Sequence, residues 1–317
     1  MNIGLDIMGG DYAPDAAVTG AIEAHKAVDH NHQFFLIGDE EKGRAICKEH
    51  NYDPDAFTWV QSSQVITMGE FPAKAFSKKP DSSISKGYML LHKGEIDVLA
   101  SAGNTGAMLV GAMYTIKPVP GVIRPAISAI LPRPQGSNGI ILDVGLNPDS
   151  KPDVLYQYGI LGSEYAKHIL EIDDPRVAIL NIGEEEEKGN AVAQATFEAM
   201  QGNSDFNFTG NVEGNALFTP EKADVVVCDG FVGNIVLKEA ESFYALMRKE
   251  SISSDFWEQF NFEKVGGTPI LGVNSNVVIG HGISNAQAIK HMLLHSLTMS
   301  KAQLPARFKE IFTRWLK

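Results

Sequence analysis

The sequence predicts an α/β fold built around a largely parallel β-sheet. Short apolar runs alternate with longer amphipathic segments, and the runs repeatedly end in glycine, asparagine or aspartate. Most runs are continuously apolar rather than alternating, which is typical of strands that are covered on both faces. The chain has 317 residues, 44% of them hydrophobic and 21% charged, so it can bury a sizeable core. This composition excludes the disordered, collagenous and disulfide-rich classes.

The individual elements follow from these runs. Pro14 and Asp15 favour a helix start, because the first helical turn tolerates a missing N–H and attracts negative charge. The predicted strands span residues 2–6, 33–37, 58–61, 97–101, 126–131, 139–144, 177–182, 224–228 and 276–279. The predicted helices span residues 16–28, 83–93, 107–116, 152–170, 190–200, 234–248 and 285–294. No linker or solenoid repeat divides the chain, so we expect one unit over residues 1–317, either simple or two-lobed.

Polar turns that contain glycine connect a strand to a helix six times. Their sequences are DIMGGDYAP, ASAGNTGAM, LDVGLNPD, NIGEEEEKGN, VCDGFVGNIV and VIGHGISNAQ. In a parallel sheet the carboxyl ends of the strands share one edge, and open α/β sheets bind their ligands there. The sequence therefore predicts that these turns form a ligand cleft.

Charge and cysteine content limit the partners and the compartment. A formal charge of −12 and a pI near 5.2 argue against a nucleic-acid partner, and an anionic partner would need a local basic patch. The two cysteines, Cys47 and Cys228, suit a reducing compartment. The opening MNIGLDIMGG has no basic region before an apolar stretch, and no window reaches about 18 apolar residues. We therefore expect a cytoplasmic protein.

The first candidate site is the turn formed by Gly103, Asn104, Thr105 and Gly106. It follows an apolar strand and opens a helix, so its N–H groups offer a seat for phosphate. The alternative is a tight turn that needs glycine only for its backbone angles. Neither a Walker A sequence nor GxGxxG with a downstream acid is present, so we expect no nucleotide cofactor.

Two further turns carry polar groups beside glycine. Lys188 follows four acids and precedes a helix cap at Asn190, although a solvated charge run is the alternative interpretation. Asp229 and Asn234 flank a turn in which Gly233 permits close backbone approach, and an amide N–H₂ can donate to an oxyanion. These residues are candidates for charge stabilisation.

His281 is the one histidine in a turn of this kind. It can be an ordinary hydrogen-bonded loop residue or a contact to substrate. No HExxH or CxxC pattern occurs, so we expect no dedicated metal site.

Taken in order, the motifs resemble those of the PlsX family of phosphate acyltransferases. The matching segments cover nearly the whole chain and are MGGDYAP, DSSI, SAGNTGA, LDVG, NIGEE with KGN, GNVEG, DVVVCDGFVGN, GGTPILGVN and GHGISNAQAI. The resemblance implies a Rossmann-like three-layer α/β/α fold related to phosphotransacetylases and isopropylmalate dehydrogenase. It also implies a homodimer that associates peripherally with the inner face of the membrane.

The activity implied by the resemblance is acyl transfer from acyl carrier protein to inorganic phosphate, for bacterial phospholipid synthesis, without a cofactor. The acyl phosphate would pass to a second acyltransferase that uses it. Phosphate is already a nucleophile and a thiolate is a tolerable leaving group, so no catalytic triad is required. The alternatives are a small-acyl-CoA phosphotransacetylase, an NAD-dependent dehydrogenase of the related fold and a noncatalytic scaffold for lipid enzymes.

Individual roles follow from the same resemblance. Lys188 and Asn234 match family positions regarded as critical, so Lys188 is expected to offset phosphate charge and Asn234 to donate to the thioester oxygen. Asp229 is expected to orient one of these two residues. Tyr12 stands where histidine is usual and Asn215 where arginine is common, so we assign neither a functional role.

Two segments near the end of the chain are predicted to form surface features. Residues 240–263 are apolar and aromatic around a serine-rich break, which indicates a helical hairpin that covers the core, forms a dimer seam or touches a membrane. Residues 301–317 carry five basic residues against one acid, with Arg307, Lys309 and Arg314 on an amphipathic helix. That helix is either a docking surface for an acidic carrier protein or an ordinary solvated surface.

Overall fold

The computed structural model describes residues 1–29, 31–134 and 138–316, apart from the side chain of Phe262. The strands are β1 (Asn2–Asp6), β2 (Gln33–Gly38), β3 (Thr58–Gln61), β4 (Val98–Ser101), β5 (Ala126–Leu131), β6 (Gly139–Leu142), β7 (Arg176–Leu180), β8 (Asn207–Val212), β9 (Val225–Val227), β10 (Thr268–Leu271) and β11 (Asn276–Ile279). The helices are α1 (Asp15–Ala27), α2 (Glu40–Glu49), α3 (Pro72–Lys78), α4 (Ser83–Lys93), α5 (Thr105–Gly111), α6 (Pro152–Ile169), α7 (Ala191–Met200), α8 (Gly230–Lys249), α9 (Phe262–Val265), α10 (Ala286–Ala302) and α11 (Leu304–Thr313). The predicted α/β class is confirmed.

Every predicted strand and helix is present, with ends that differ by up to eight residues, and the differences have local causes. The sequence does not predict β8, because NFTGNV is a partly buried polar strand, nor β10, which contains Pro269. Helix α8 begins at Gly230, four residues earlier than expected, because Asp229 caps it there. Among the described residues, no helix combines the length and the hydrophobicity needed to span a bilayer.

The chain forms two compact units. The first comprises Met1–Pro118 with Phe262–Gln303, and the second comprises Val119–Asn261 with Leu304–Lys317. Each unit has its own set of parallel strands with helices packed against them. The polar turns of interest are therefore positioned separately in each unit.

In the first unit the strand order is β3-β2-β1-β4-β11-β10. Neighbouring strands are parallel, except that β10 runs antiparallel to β11. Helices α1 and α10 pack together over a core that includes Ile3, Leu5 and Ala100. Helix α4 covers the opposite face, where Gly87 lies against Leu99, since adjacent strand residues point to opposite sides.

In the second unit the strand order is β5-β6-β9-β7-β8. Strands β6, β9, β7 and β8 are parallel, and β5 is antiparallel to β6. Helix α6 packs over β6, β9 and β7 through buried side chains such as Tyr158 and Leu161. Helix α8 packs against β5 and β6, and α11 packs against α6. This arrangement fixes the starts of α7 and α8 at the carboxyl ends of β7 and β9.

The strand directions sort the six glycine turns into two sets of three. The turns after β1, β4 and β11 share the carboxyl edge of the first unit's parallel strands. The turns after β6, β9 and β7 share the corresponding edge in the second unit. The sequence predicts shared edges but cannot predict this division, because it depends on strand order.

A buried ion pair lies at the opposite end of β9. Asp224 accepts hydrogen bonds from Arg133, whose side chain is 1% exposed, and from Arg176 at 2.9 Å. Burial acts to raise the pKa of Asp224, but the bonds from Arg176 and the charges of both arginines outweigh it and lower the pKa. Removing the carboxylate would therefore leave the guanidinium of Arg133 buried and uncompensated.

We predict that Asp224→Asn destabilises the protein by about 3 kcal/mol at pH 7, because a buried cation loses its partner. Urea unfolding measures the loss. Glu184→Gln removes a half-exposed partner of Lys222 and should change the midpoint little.

Because the folded-state pKa of Asp224 is lowered, its stabilisation is present above the unfolded pKa near 3.9 and is lost as pH falls below it. The difference between Asp224→Asn and the parent should therefore shrink in acid; a constant difference would contradict this account.

Candidate active site

The residues singled out by sequence divide between the two units. Those in the first unit are Gly103, Asn104, Thr105, Gly106 and His281. Those in the second unit are Lys188, Asn190, Asp229, Gly233, Asn234, Arg307, Lys309 and Arg314. Within the second unit, Lys188 and Asn234 follow β7 and β9, which are adjacent and parallel. The two functional groups expected to contact the reacting atoms therefore follow neighbouring strands, with Lys188 on the loop after β7 and Asn234 near the start of α8.

In the first unit a buried carboxylate ties two turns together. Asp6, the last residue of β1, accepts the N–H of Met8 at 2.9 Å and the hydroxyl of Ser101 at 2.7 Å. The Ser101 oxygen in turn accepts the N–H of Gly103 at 2.9 Å. Burial raises the pKa of Asp6, while these hydrogen bonds oppose the shift. Asp6 is not assigned this role from the sequence, although an acid that ends the apolar run of residues 3–5 is a usable signal.

Asn104 caps a helix and fastens a loop. Its side-chain oxygen accepts the N–H of Ala107 at 2.9 Å, and its Nδ2 donates to the carbonyls of Thr67 and Glu70 at 3.0 and 3.2 Å. The N–H groups of Gly103, in the predicted anion seat, and of Ala107, directly after the seat, thus have acceptors within the chain. The phosphate role of residues 103–106 stays a prediction.

His281 lies exposed in the turn after β11. Its carbonyl accepts both the N–H and the hydroxyl of Ser284, at 2.9 and 2.6 Å. The neighbouring Gly282 carbonyl accepts the N–H of Asp11, which connects this turn to the one after β1. The backbone at His281 is therefore held at the carboxyl edge of the first unit.

In the second unit two asparagines hold the loop that carries Lys188. Asn181 donates from Nδ2 to the Lys188 carbonyl at 3.2 Å and to Oδ1 of Asn211 at 3.1 Å. Asn211 donates to the carbonyl of Glu185 at 2.9 Å. Gly189 has φ +88°, which favours glycine. Sequence reasoning misses both asparagines; their positions at the ends of β7 and β8 are the only available signal.

The side chain of Lys188 remains accessible within this fixed loop. It is 44% exposed, and its Nζ lies 3.9 Å from a carboxylate oxygen of Glu185. An exposed pair at this distance restrains the ammonium group weakly. The loop backbone is thus fixed while the charge can meet an anion.

Asn190 and Asp229 cap helices. Asn190 accepts the N–H of Ala193 at 2.9 Å and starts α7. Asp229 accepts the N–H of Val232 at 2.8 Å and starts α8. The carboxylate of Asp229 thus bonds to the first turn of its own helix, and the hypothesis that it orients Lys188 or Asn234 stays a prediction.

Asn234 is held by the turn after β6. Its Nδ2 donates to the carbonyl of Val144 at 3.2 Å, and the side chain is otherwise exposed. A primary amide has two N–H groups, so the second can donate to a substrate oxygen. The preceding Gly233 is required here, because a Cβ would overlap the carbonyl oxygen of Asp143.

The two departures from the family pattern lie in exposed positions. Tyr12 is on the turn between β1 and α1, and Asn215 is in the short 3₁₀ turn Gly214–Ala216. Across the described part of the chain, no three His, Cys, Asp or Glu side chains group as ligands of a metal would.

Comparison with known proteins identifies the family. A profile described as fatty acid synthesis protein matches residues 1–307. A phosphate acyltransferase of Dictyoglomus thermophilum is 40% identical over 98% of this chain and 97% of its own length, and one of Syntrophomonas wolfei is 40% identical over 91% of each.

Solved structures agree on the fold. A phosphotransacetylase from Streptococcus pyogenes superposes with a TM-score of 0.71 at 18% identity, covering 95% of this chain and 94% of that one. A branched-chain phosphotransacylase from Enterococcus faecalis gives 0.63 at 16% identity, covering 94% and 99%. At such identities the likeness establishes the α/β fold with helices on both sides of its sheet. The sequence relatives establish more, and the resemblance seen in the motifs is confirmed: the chain belongs to the phosphate acyltransferase family, whose members are transferases.

Proposed function

We propose that this protein transfers a long-chain acyl group from acyl carrier protein to inorganic phosphate, for phospholipid synthesis. A phosphate oxygen attacks the thioester carbonyl, the C–S bond breaks, and acyl phosphate and the free carrier thiolate leave. The observation that carries the proposal is that Lys188, on the loop after β7, and Asn234, near the start of α8, follow adjacent parallel strands in a chain of this family. The decisive assay is phosphate-dependent release of free thiol from a long-chain acyl carrier protein.

The chemistry requires charge stabilisation rather than a covalent intermediate. The ammonium of Lys188 offsets the charge of phosphate, and the amide of Asn234 donates to the thioester oxygen as negative charge develops. Asp229 contributes by fixing the start of α8, five residues before Asn234. Residues 103–106 and His281, in the first unit, remain predicted contacts for phosphate or the acyl group.

The alternatives are separated by simple measurements. A small-acyl-CoA phosphotransacetylase would prefer acetyl-CoA or butyryl-CoA in a side-by-side donor assay. The solved structures named above share the fold of this chain, and their likeness does not extend to the acyl donor. A dehydrogenase would bind a nicotinamide cofactor. A noncatalytic scaffold would produce no acyl phosphate.

Lys188→Ala should lower kcat by about 10²-fold to 10³-fold with little change in thermal stability, because the side chain contributes charge and not core packing. Asn234→Ala should behave similarly, and Asn234→Asp should be at least as harmful, because it places an anion beside a developing negative charge. Thiol release at saturating phosphate measures both effects.

Lys222→Ala is the matched control, since Lys222 is a lysine of the same unit with nearly the same side-chain exposure, 47%. It should retain the parent's turnover. Parent-like turnover of Lys188→Ala would remove Lys188 from the mechanism, and an active Asn234→Asp enzyme would contradict the oxyanion role.

The C-terminal helix is our proposed docking surface for the carrier protein. The apolar side of α11 is buried through Leu304, Phe308 and Phe312. Arg307 and Lys309 lie on the exposed side, and Arg314 follows at 3.6 Å from Asp205. A basic face on a chain of net charge −12 can steer an acidic partner to one place.

Reversing Arg307, Lys309 and Arg314 to glutamate should raise KM for the carrier protein about 10-fold, leave KM for phosphate nearly unchanged and flatten the salt dependence of the rate. Reversing Lys26, Lys48 and Lys93 changes total charge equally at exposed positions of α1, α2 and α4 and is the control. If both triple variants treat the carrier protein alike, docking occurs elsewhere, and residues 78–79 and 248–249 are the next basic positions to test.

An exposed apolar face on α8 supports a homodimer. Phe243 and Leu246 are 59% and 57% exposed, and Ile235 and Val232 lie on the same side about two and three turns before Phe243. A helix of this length gains most of its stability from packing, so we propose that a second copy covers this face.

Ile252, exposed on the turn after Lys249, is the proposed peripheral contact to an anionic membrane.

Phe243→Glu combined with Leu246→Glu should yield monomers in sedimentation velocity while helicity is retained, because two charges cannot be buried in an apolar seam. Lys238→Glu, beside the face, should stay dimeric. Ile252→Glu should remain dimeric yet lose flotation with anionic vesicles. A dimeric double variant would place the dimer interface elsewhere, and unchanged flotation of Ile252→Glu would exclude this turn as the membrane contact.

A further inference from the structure

The carboxylate of Asp143 organises the turn that follows β6. Asp143 is fully buried. One oxygen accepts the N–H groups of Ile127 at 3.0 Å and Leu146 at 3.3 Å, and the other accepts the N–H of Asn147 at 2.6 Å and its side-chain amide at 3.2 Å. Four N–H donors therefore converge on one carboxylate, and the chain from residue 143 to 147 curls around it.

This turn also holds the start of α8. The carbonyl of Asn147 accepts the N–H of Gly230 at 2.7 Å. The carbonyl of Asp143 lies against Gly233 so closely that any side chain there would overlap it, and the Cys228 thiol lies 3.5 Å from the same oxygen. The first turn of α8 is thus seated on the backbone that Asp143 organises.

The amide of Asn234 is aimed by the same turn. Its Nδ2 donates to the carbonyl of Val144, the residue next to Asp143. A change in the direction of that carbonyl would rotate the amide and with it the second N–H. We propose that Asp143 is a positioning residue that aims the Asn234 amide at the substrate oxygen through Val144. The catalytic consequence rests on the function proposed above for Asn234.

The donor set determines which substitution is informative. Burial raises the pKa of Asp143, while the N–H donors favour its charged form. All four contacts point N–H groups at an acceptor, so Asp143→Asn keeps the side-chain shape but places an N–H₂ against at least one donor. The turn should then reorganise although the core volume is preserved.

A second buried carboxylate of the same unit provides the matched control. Asp224 precedes β9, at the opposite end of the parallel strands, and its partners are Arg133 and Arg176. Asp224→Asn should therefore reduce stability without changing how Asn234 is aimed. If the role of Asp143 were purely structural, Asp143→Asn and Asp224→Asn would both reduce stability, and neither would change the direction of the Asn234 amide.

The test is a double-mutant cycle with the full-length protein. Asp143→Asn should lower kcat about 10-fold to 100-fold with KM for phosphate and carrier protein changed less than about 3-fold. In an Asn234→Ala background the same substitution should cost little more, because it acts through an amide that is already gone. If Asp143→Asn fails to fold, Asn147→Ala takes its place in the cycle. It removes one of the four N–H donors to Asp143, so it should lower kcat less, and its effect should likewise be non-additive with Asn234→Ala.

The side-chain amide signal of Asn234 in asparagine-labelled protein, assigned by its loss in Asn234→Ala, gives a readout that does not depend on activity. It should shift in Asp143→Asn and Asn147→Ala but not in Asp224→Asn. An unmoved signal, or losses that add in the cycle, would overturn the proposal. If the parent releases no thiol from acyl carrier protein, the proposed function fails, and the amide signal alone decides whether Asp143 positions Asn234.

Discussion

In each unit a buried aspartate accepts backbone N–H groups and fixes a glycine turn that the neighbouring segments contact. Asp6 ends β1 and Asp143 follows β6, and each carboxylate collects hydrogen bonds from the turn that begins with it. Burying a charged group is costly unless donors surround it, so the turns must adopt the conformation that supplies those donors. In each unit the aspartate also adjoins a glycine in the segment after the neighbouring parallel strand, Gly103 in one and Gly233 in the other.

Polar residues around the candidate site serve two different purposes. Asn104, Asn190 and Asp229 accept N–H groups in the first turns of α5, α7 and α8, so their side chains fix backbone. Lys188 on its loop and Asn234 near the start of α8 keep polar atoms exposed on segments that other residues hold. A rigid frame with a few accessible donors suits transfer to phosphate, because positioning and charge stabilisation must lower the barrier without a covalent nucleophile.

The loop that carries Lys188 is held in part by a residue on a neighbouring strand, distant in the sequence. It contains four consecutive acids and resembles a solvated charge run, yet Asn181 and Asn211 clamp its backbone at two points. Asn211 lies on β8, a strand too polar to be predicted from the sequence. The contact exists because β7 and β8 are neighbours in the sheet, which is a property of the fold and not of the loop.

The sequence by itself determined the α/β class, the positions of most elements, the family, and Lys188 and Asn234 as candidates. These depend on apolar runs, turn residues and motif order, which are local in the chain. Tertiary structure decided which turns are neighbours, the roles of Asp6, Asp143 and Asn181, and the capping role of Asp229. The physical reason is separation along the chain: the bond from Ser101 to Asp6 spans 95 residues and that from Asn234 to Val144 spans 90, so both depend on strand order and packing that no local pattern encodes.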